Sequence, residues 1–303
     1  MRLGTRGSTL ALAQAAPVAQ KLGAELVVIE TDGDRATGSL AELGGTGIFA
    51  TALRSALLSG EVDVVVHSYK DLPTRPAEGL VVAAVPKRGD ARDALCAADS
   101  LTLDTLPPGA RVGTGSPRRR AQLLARRPDL EVLAIRGNVD TRLGRIGTDL
   151  DAVVLAAAGL DRLDRLDAVT EFLGIDGWPS APAQGALAVE VRAGDEKSVL
   201  KLEHRPSRLA VEAERGVLAS LEAGCAAPVG AHALLDDGLL FLSARVYSLD
   251  GARQLTSAHA LYPEDALHPA AELAERVASE LLAAGAADLA PLGSSGSGVG
   301  GES

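Results

Sequence analysis

Short runs of aliphatic residues alternate with segments of helical spacing along the first part of the chain. Buried strands are predicted at 26–29, 62–66 and 80–85, and helices are predicted at 8–22 and 48–58. Pro17 interrupts the first of these helical patterns, so we expect it to kink or divide that helix. Because strands separated by helices form parallel or mixed sheets, the pattern predicts an α/β unit.

The alternation restarts after the turn signal at 107–109 and changes character after Pro228. The second unit has predicted strands at 111–114, 132–135 and 153–155, and helices that begin at Ser116 and Asn138. A further predicted strand at 186–191 is able to return to the first sheet. The last unit has a helix at 207–221, strands at 229–235, 239–247 and 254–261, and a helix at 263–283. The Gly/Ser-rich tail from 293 is expected to be disordered.

The composition limits the classes of partner. With 303 residues the chain is long enough for two or three domains. Hydrophobic residues make up 47% of it and aromatic residues only 2%, so the cores must be built from Ala, Val, Leu and Ile. A net charge of −10 argues against nucleic acid or an anionic membrane as a partner, because the summed field repels both.

The two cysteines, Cys96 and Cys225, are too far apart in sequence to indicate a disulfide framework. No apolar segment of a secretory signal begins the chain, so we expect a protein of a reducing compartment, the cytoplasm. Cys96 lies in an apolar run and is interpreted as a strand or core residue. Cys225 has small neighbours and is followed by Pro228, which favours an accessible thiol in a loop.

Four predicted strands end in short polar loops that carry candidate anion ligands. Ligands of α/β sheets bind outside the carboxyl ends of strands, where helix N-termini also attract anions. The arginines at these positions are Arg6, Arg118, Arg119, Arg136 and Arg142. Guanidinium groups pair with carboxylate and phosphate equally well, so the arginines predict a polyanionic ligand. The basic run at 118–120 would also suit nucleic acid, but the acidic balance and the lack of stacking aromatics oppose that interpretation.

Other residues of these loops have plain structural interpretations. Ser8, Ser116 and Asn138, each taken singly, are best interpreted as helix N-caps. The glycine loop at 44–47 resembles a phosphate cradle but lacks the ending of a P-loop, so a tight turn is favoured. Asp71, which follows a buried strand beside Lys70, is either a turn residue or a carboxylate that the lysine keeps ionised at a cleft. No His or Cys spacing predicts a metal site.

Several motifs, in this order, together resemble the porphobilinogen deaminase family along almost the whole chain. They lie at 5–11, 44–49, 66–73, 88–93, 113–119, 136–143, 158–163, 184–186 and 224–230. Each motif alone is modest evidence, whereas their shared order is specific. The resemblance implies a transferase that deaminates porphobilinogen and joins four molecules head to tail into the linear tetrapyrrole hydroxymethylbilane.

The resemblance also implies an architecture. Two periplasmic-binding-protein-like α/β domains would face each other across a cleft, and a smaller α+β C-terminal domain would follow. The expected limits are 1–88 with 186–204, then 89–185, then 205–292, and 293–303 for a disordered tail. A monomer is expected, with porphobilinogen as its small-molecule substrate and with no nucleic-acid or membrane partner.

Roles for single residues follow from the same resemblance. Cys225 would hold a dipyrromethane cofactor by a thioether, since a thiol is the soft nucleophile that traps an electrophilic methylene-pyrrolenine. Asp71 would be the catalytic carboxylate, with Lys70 beside it. The other implied cofactor- or substrate-binding residues are Arg6, Ser8, Ser68, Thr114, Ser116, Arg118, Arg119, Arg136, Gly137, Asn138, Arg142, Arg162 and Gln184.

Three positions depart from the usual family pattern. Thr46 stands where lysine is usual in the glycine loop, Ala226 where glutamine is frequent, and Tyr69 where methionine is common. The Cys, Asp and Arg set is complete, so activity is expected. The alternative is a non-catalytic two-lobed binding module for a small polyanion, because fold alone does not separate such a module from an enzyme. The third domain and the Cys225 loop argue against it.

Overall fold

The computed structural model describes residues 1–30, 47–224 and 227–292. Within these ranges the chain forms two five-stranded sheets and one three-stranded sheet, each packed against helices. The predicted mixed α/β architecture with a smaller C-terminal unit is confirmed. The loop at 44–46, Cys225, Ala226 and the tail from 293 lie outside the described residues.

The first sheet combines four strands from the start of the chain with one strand that returns to it after the second sheet. Its strands are β1 (Arg2–Thr5), β2 (Glu25–Val28), β3 (Val64–Ser68), β4 (Leu80–Ala84) and β10 (Leu187–Arg192). They lie in the order β2-β1-β3-β10-β4. Strand β1 is parallel to β2 and β3, whereas β10 runs antiparallel to its neighbours β3 and β4. The strand predicted at 186–191 therefore does return to the first sheet.

Helices cover both faces of this sheet. They are α1 (Thr9–Leu22) and α2 (Gly47–Leu58). Side chains of a strand alternate between its faces, so Val64 and Val66 pack with α1 while Val65 packs with α2. Burial on both faces explains why β3 appears in the sequence as an unbroken run of valines.

The second sheet repeats this plan. Its strands are β5 (Asp93–Ala97), β6 (Arg111–Gly113), β7 (Glu131–Leu133), β8 (Ala152–Ala156) and β9 (Glu171–Leu173). The strand order is β7-β6-β8-β5-β9, with β6 parallel to β7 and β8, and β5 antiparallel to β8 and β9. The helices that follow its parallel strands are α3 (Pro117–Arg126), α4 (Val139–Leu143) and α5 (Ala157–Asp161).

The third unit is an antiparallel meander with helices on one face. Its elements are α6 (Arg205–Ser220), β11 (Val229–Asp236), β12 (Leu239–Tyr247), β13 (Gln254–Leu261), α7 (Pro269–Ala283) and α8 (Ala286–Leu289). Asp237 and Gly238 both have positive φ angles, 46° and 79°, as the two-residue hairpin turn between β11 and β12 requires. Val217 and Leu273 join β-strand residues such as Leu242 in a fully buried core.

Two extended segments connect the first unit to the second, one leading from β4 to β5 and the other ending at β10. They touch where the N–H of Gly89 donates to the carbonyl of Gly185, at 3.2 Å. Gly185 has a φ of +85°, and a β-carbon there would lie 2.7 Å from the Gly89 carbonyl oxygen. Glycine is therefore required where the two connections pack against each other.

Two helix predictions are wrong in detail. Helix α1 runs through Pro17 without division. Pro17 lies on its exposed face, and the buried residues Ala15 and Val18 hold the helix to the sheet on both sides of the ring. The last long helix begins at Pro269 rather than at 263, because 263–265 form a separate 3-10 turn.

Candidate active site

The carboxyl ends of the parallel strands meet at the connections between the two sheets. Leu187, the first residue of β10, pairs with Ser68 at the end of β3, and Asp93, the first residue of β5, pairs with Ala156 at the end of β8. Each connection therefore runs from the carboxyl edge of one sheet to the carboxyl edge of the other. The loops predicted to carry ligands therefore lie at the two sheet edges that the connections join.

Lys70 and Asp71 lie on the 3-10 turn Tyr69–Asp71, directly after β3. The Asp71 side chain is exposed, and among the described residues it accepts no hydrogen bond. The Lys70 Nζ donates to the Oε1 atom of Gln184 at 3.2 Å. Burial lowers the pKa of Lys70 to about 8, with Asp71 opposing the shift and Arg119 adding to it. An exposed carboxylate and a readily deprotonated amine therefore stand side by side.

The centre of the second unit's edge is the buried carboxylate of Asp93. Its Oδ1 accepts from the Arg119 Nη2 at 2.7 Å and from the Gln184 Nε2 at 2.8 Å. Its Oδ2 accepts from the Arg118 Nη1 and from the Trp178 Nε1, both at 2.8 Å. Burial disfavours the charged carboxylate, but the two guanidiniums outweigh it and hold the pKa of Asp93 well below its usual range. Asp93 thus gathers three predicted site residues.

Arg118 and Arg119 are largely engaged inside the protein. Both are buried, and Arg118 also donates to the Gln122 side chain and to the Pro179 carbonyl. The Arg118 Nε atom is buried and has no partner among the described residues. Arg119 donates further to the carbonyl of Val154 at 2.9 Å. The part predicted for these two arginines in ligand binding stays a prediction, since their contacts are first of all structural.

Arg142 and Arg162 are freer cations at the same edge. The Arg142 Nε donates to the Gly137 carbonyl at 2.8 Å, and the Arg162 Nη2 donates to the Gly185 carbonyl at 2.7 Å. Burial lowers the pKa of both, and for Arg142 the positive charge of Arg119 lowers it further. A half-buried guanidinium such as that of Arg142, close to the positive charge of Arg119, would be stabilised by an anionic ligand.

The remaining predicted residues divide into caps and loop positions. Ser8, Ser116 and Asn138 are helix N-caps, with side-chain oxygens that accept from the N–H groups of Ala11, Arg119 and Thr141. Thr114 is buried and accepts from the Ser116 N–H, and Ser68 exchanges hydrogen bonds with Gln14. Gly137 has a φ of +103°, Arg136 is exposed, and Arg6 is half-buried. No contact in the described part joins these residues directly to Asp71.

Only one of the two cysteines, Cys96, lies within the described residues. Cys225 lies outside the described residues, so its predicted attachment role stays a prediction. Cys96 is fully buried in β5, and burial raises the pKa of its thiol to about 11. A buried thiol that resists ionisation is a poor nucleophile, so Cys96 is not a candidate for cofactor attachment.

Sequence reasoning missed several residues that shape this site. Asp93 was hidden because its partners Arg118 and Arg119 are distant in sequence and pair with it only after folding. The motif at 88–93, which ends at Asp93, was the available signal. Gln14, which lies on the buried face of α1 and binds Ser68, belongs to none of the sequence motifs. In the described ranges, no helix is long and apolar enough to cross a membrane, and no cluster of acidic, His or Cys side chains is suited to a metal.

Known families match nearly the whole chain. A model described as "Porphobilinogen deaminase, dipyromethane cofactor binding domain" matches residues 1–199, and one described as "Porphobilinogen deaminase, C-terminal domain" matches residues 208–283. The chain belongs to the porphobilinogen deaminase family. The resemblance and the dipyrromethane cofactor predicted with it are confirmed at this level, and membership of an enzyme family disfavours the non-catalytic binding module.

Individual relatives agree. The porphobilinogen deaminase of Leifsonia xyli subsp. xyli is 60% identical over 311 residues, which cover 96% of this chain and 94% of that protein. That of Cutibacterium acnes is 51% identical over 329 residues, which cover 98% of each. Among solved structures, the unliganded L-cystine solute receptor of Neisseria gonorrhoeae is 18% identical over 73% of this chain and 88% of that one, with a TM-score of 0.35. A similarity this low carries no argument about function.

Proposed function

We propose that the chain deaminates porphobilinogen and condenses four molecules of it, head to tail, into hydroxymethylbilane. The observation that carries the proposal is the exposed Asp71 carboxylate beside Lys70, whose partner Gln184 also binds Arg119, in a chain of this family. Porphobilinogen carries an acetate and a propionate arm, so each added ring brings two more carboxylates. A binding edge rich in guanidinium groups suits such a ligand.

The surroundings of each cation indicate whether it would bind the ligand or support the site. Arg142 and Arg162 are half-buried, and each donates one side-chain hydrogen bond to a carbonyl in the described part of the chain, so most of their donors stay available to carboxylates. Lys70 is held by Gln184 and adds a single point charge. Arg118 and Arg119 act mainly by keeping Asp93 ionised and the edge rigid, which maintains the spacing of the other groups.

Asp71 would act at the step in which porphobilinogen loses ammonia. A porphobilinogen that loses ammonia becomes a cationic methylene-pyrrolenine, and a fixed carboxylate stabilises that charge as it develops. The same oxygen accepts a hydrogen bond from a pyrrole N–H and holds the ring in place. Its exposure gives substrate direct access.

The residues present fit the dipyrromethane implied by the family. Its four carboxylates require cations, and an anionic ligand would stabilise the half-buried Arg142, whose pKa is lowered by burial and by the charge of Arg119. The residues that would hold it are Arg119, Arg136, Arg142 and Ser116, with Cys225 as the thioether attachment point. When bound, the cofactor supplies the free pyrrole end to which the first substrate is joined.

The organisation predicted from sequence belongs to the same proposal. Domain limits of 1–88 with 186–204, of 89–185 and of 205–292 are supported by the three separate sheets and by β10 in the first of them. We further propose that the chain acts as a monomer in the cytoplasm.

A stoichiometric assay tests the proposal. The purified chain is incubated with porphobilinogen, and consumption of substrate, release of ammonia and formation of a linear tetrapyrrole are followed together. The expected result is four substrates consumed and four ammonia molecules released for each tetrapyrrole. Saturable binding of porphobilinogen without release of ammonia would overturn the proposal and support a binding module instead.

A further inference from the structure

Arg215 of helix α6, which belongs to the C-terminal unit, binds the turn that carries Asp71. The Arg215 Nη1 donates to the carbonyls of Tyr69 and Leu72, at 3.0 and 2.9 Å, and its Nη2 donates to the Pro73 carbonyl at 2.6 Å. The guanidinium carbon also lies 4.5 Å from the centroid of the Tyr69 ring. One planar side chain thus holds the turn on both sides of Asp71.

The residue before Arg215 on α6 anchors the helix itself. Glu214 is fully buried, and its carboxylate accepts from Arg88 at 2.6 Å and from the N–H groups of Ala183 and Ala233, at 2.6 and 2.7 Å. Arg88 and Ala183 belong to the two connections between the α/β units, and Ala233 belongs to β11. The helix is therefore fixed to both connections, and Arg215 projects from a rigid support.

The far end of α6 lies close in sequence to Cys225. The helix ends at Ser220, five positions before Cys225. The same helix therefore bears a contact to the catalytic turn and precedes the predicted attachment point of the cofactor. Tyr69 and Leu72 also pack in a buried cluster, and within the described ranges the other backbone bonds of the turn are Tyr69 N–H to the Ala186 carbonyl and Leu72 N–H to the Tyr69 carbonyl.

We propose that Arg215 is a positioning residue that keeps the turn of Asp71 in a constant place relative to helix α6 while the chain of rings grows. The inference rests on the proposed function. The guanidinium of Arg215 binds three carbonyls and one aromatic face at once. Neither lysine nor glutamine reproduces this set of contacts. Loss of the contact would free the turn and misplace Asp71 by enough to slow the reaction, without removing any group that touches substrate.

The test compares Arg215→Gln and Arg215→Lys with the matched control Arg208→Gln. Arg208 lies two turns earlier on α6 and binds Glu203, Glu212 and the Val82 carbonyl, but not the turn. For both Arg215 variants we expect kcat per cofactor-loaded chain to fall roughly tenfold to a hundredfold with little change in KM. Hydrogen–deuterium exchange at 70–72 should become faster in both, while the control matches the wild type in kcat and in exchange.

The outcomes separate the inference from the proposed function. Unchanged exchange at 70–72, or a fall in kcat that the Arg208→Gln control shares, would overturn the inference. If Arg215→Gln fails to fold, Arg215→Lys and Tyr69→Leu decide by the same two measurements. If the wild-type chain itself consumes no porphobilinogen, the proposed function is refuted, and exchange at the turn alone decides whether Arg215 holds it.

Discussion

Asp93 gives the sharpest prediction about how the site is held together. Replacing Asp93 by Asn keeps the shape of the side chain but removes its charge and turns one oxygen into a donor. Whichever way the amide is oriented, its NH₂ group faces donors, either those of Arg119 and Gln184 or those of Arg118 and Trp178. The variant therefore loses at least two hydrogen bonds and leaves two buried guanidiniums without their counter-charge.

The expected loss follows from the burial of the group. Asp93 is 0% exposed, and breaking a buried ion pair by removing one partner costs about 3–5 kcal/mol. The matched control is Asp104→Asn, which removes a pair with Arg126 in which the side chains are 65% and 44% exposed. Exposed pairs contribute at most about 1 kcal/mol, so the control should be nearly as stable as the wild type.

Trp178 provides the assay. It is the only tryptophan of the chain, it is buried in the second unit, and its indole N–H donates to Asp93. Urea unfolding followed by its fluorescence therefore reports on this unit rather than on the whole molecule. A loss of stability in Asp93→Asn no larger than in the Asp104→Asn control would refute the assignment of Asp93 as the centre of the network.

The same carboxylate predicts how stability depends on pH. Folding lowers the pKa of Asp93 below its usual 3.8, so its contribution is complete above that pH and is lost as the pH falls below it. The difference in unfolding free energy between wild type and Asp93→Asn should be constant near neutral pH and should shrink in acid. A difference that grows as the pH falls from 5 to 3, in ~0.5-unit steps of the urea assay, would contradict this sign.

Three further predictions concern the reaction and the connections. Asp71→Asn should keep the fold and the substrate KM but lower kcat roughly 10²–10³-fold in the porphobilinogen assay, because the charge that stabilises the cation is gone. Since the pKa of Lys70 is about 8, KM should rise as the pH increases through that value, and Lys70→Arg should move the rise to higher pH. Gly185→Ala should cost roughly 1–3 kcal/mol in urea unfolding, because its φ is +85° and the Gly89 carbonyl leaves no room for a methyl group.

Local pattern was sufficient for most of the fold. Strands such as β3 and β12 were predictable because their buried faces impose continuous or alternating apolar residues. The caps at Ser8, Ser116 and Asn138 were predictable for the same reason, since a cap acts within one helical turn.

Long-range pairing explains what the sequence did not show. Strand β9, at the edge of the second sheet, has three residues and pairs with β5, so its sequence carries little pattern of its own. Arg118 and Arg119 look like free ligands in sequence, yet they are bound to Asp93, which lies 25 and 26 positions earlier. Arg215 likewise contacts a turn more than 140 positions away. Contacts at such separations depend on the completed topology.

The central claim is that this chain builds tetrapyrroles on a cofactor attached to Cys225, and intact-protein mass spectrometry tests it most directly. The wild type is measured beside Cys225→Ser and beside Cys96→Ala, which removes the other, buried thiol. We predict an added mass of two linked pyrrole units in the wild type and in Cys96→Ala, and none in Cys225→Ser. An unmodified wild type that stays unmodified after incubation with porphobilinogen, or an adduct that persists in Cys225→Ser, would contradict the account.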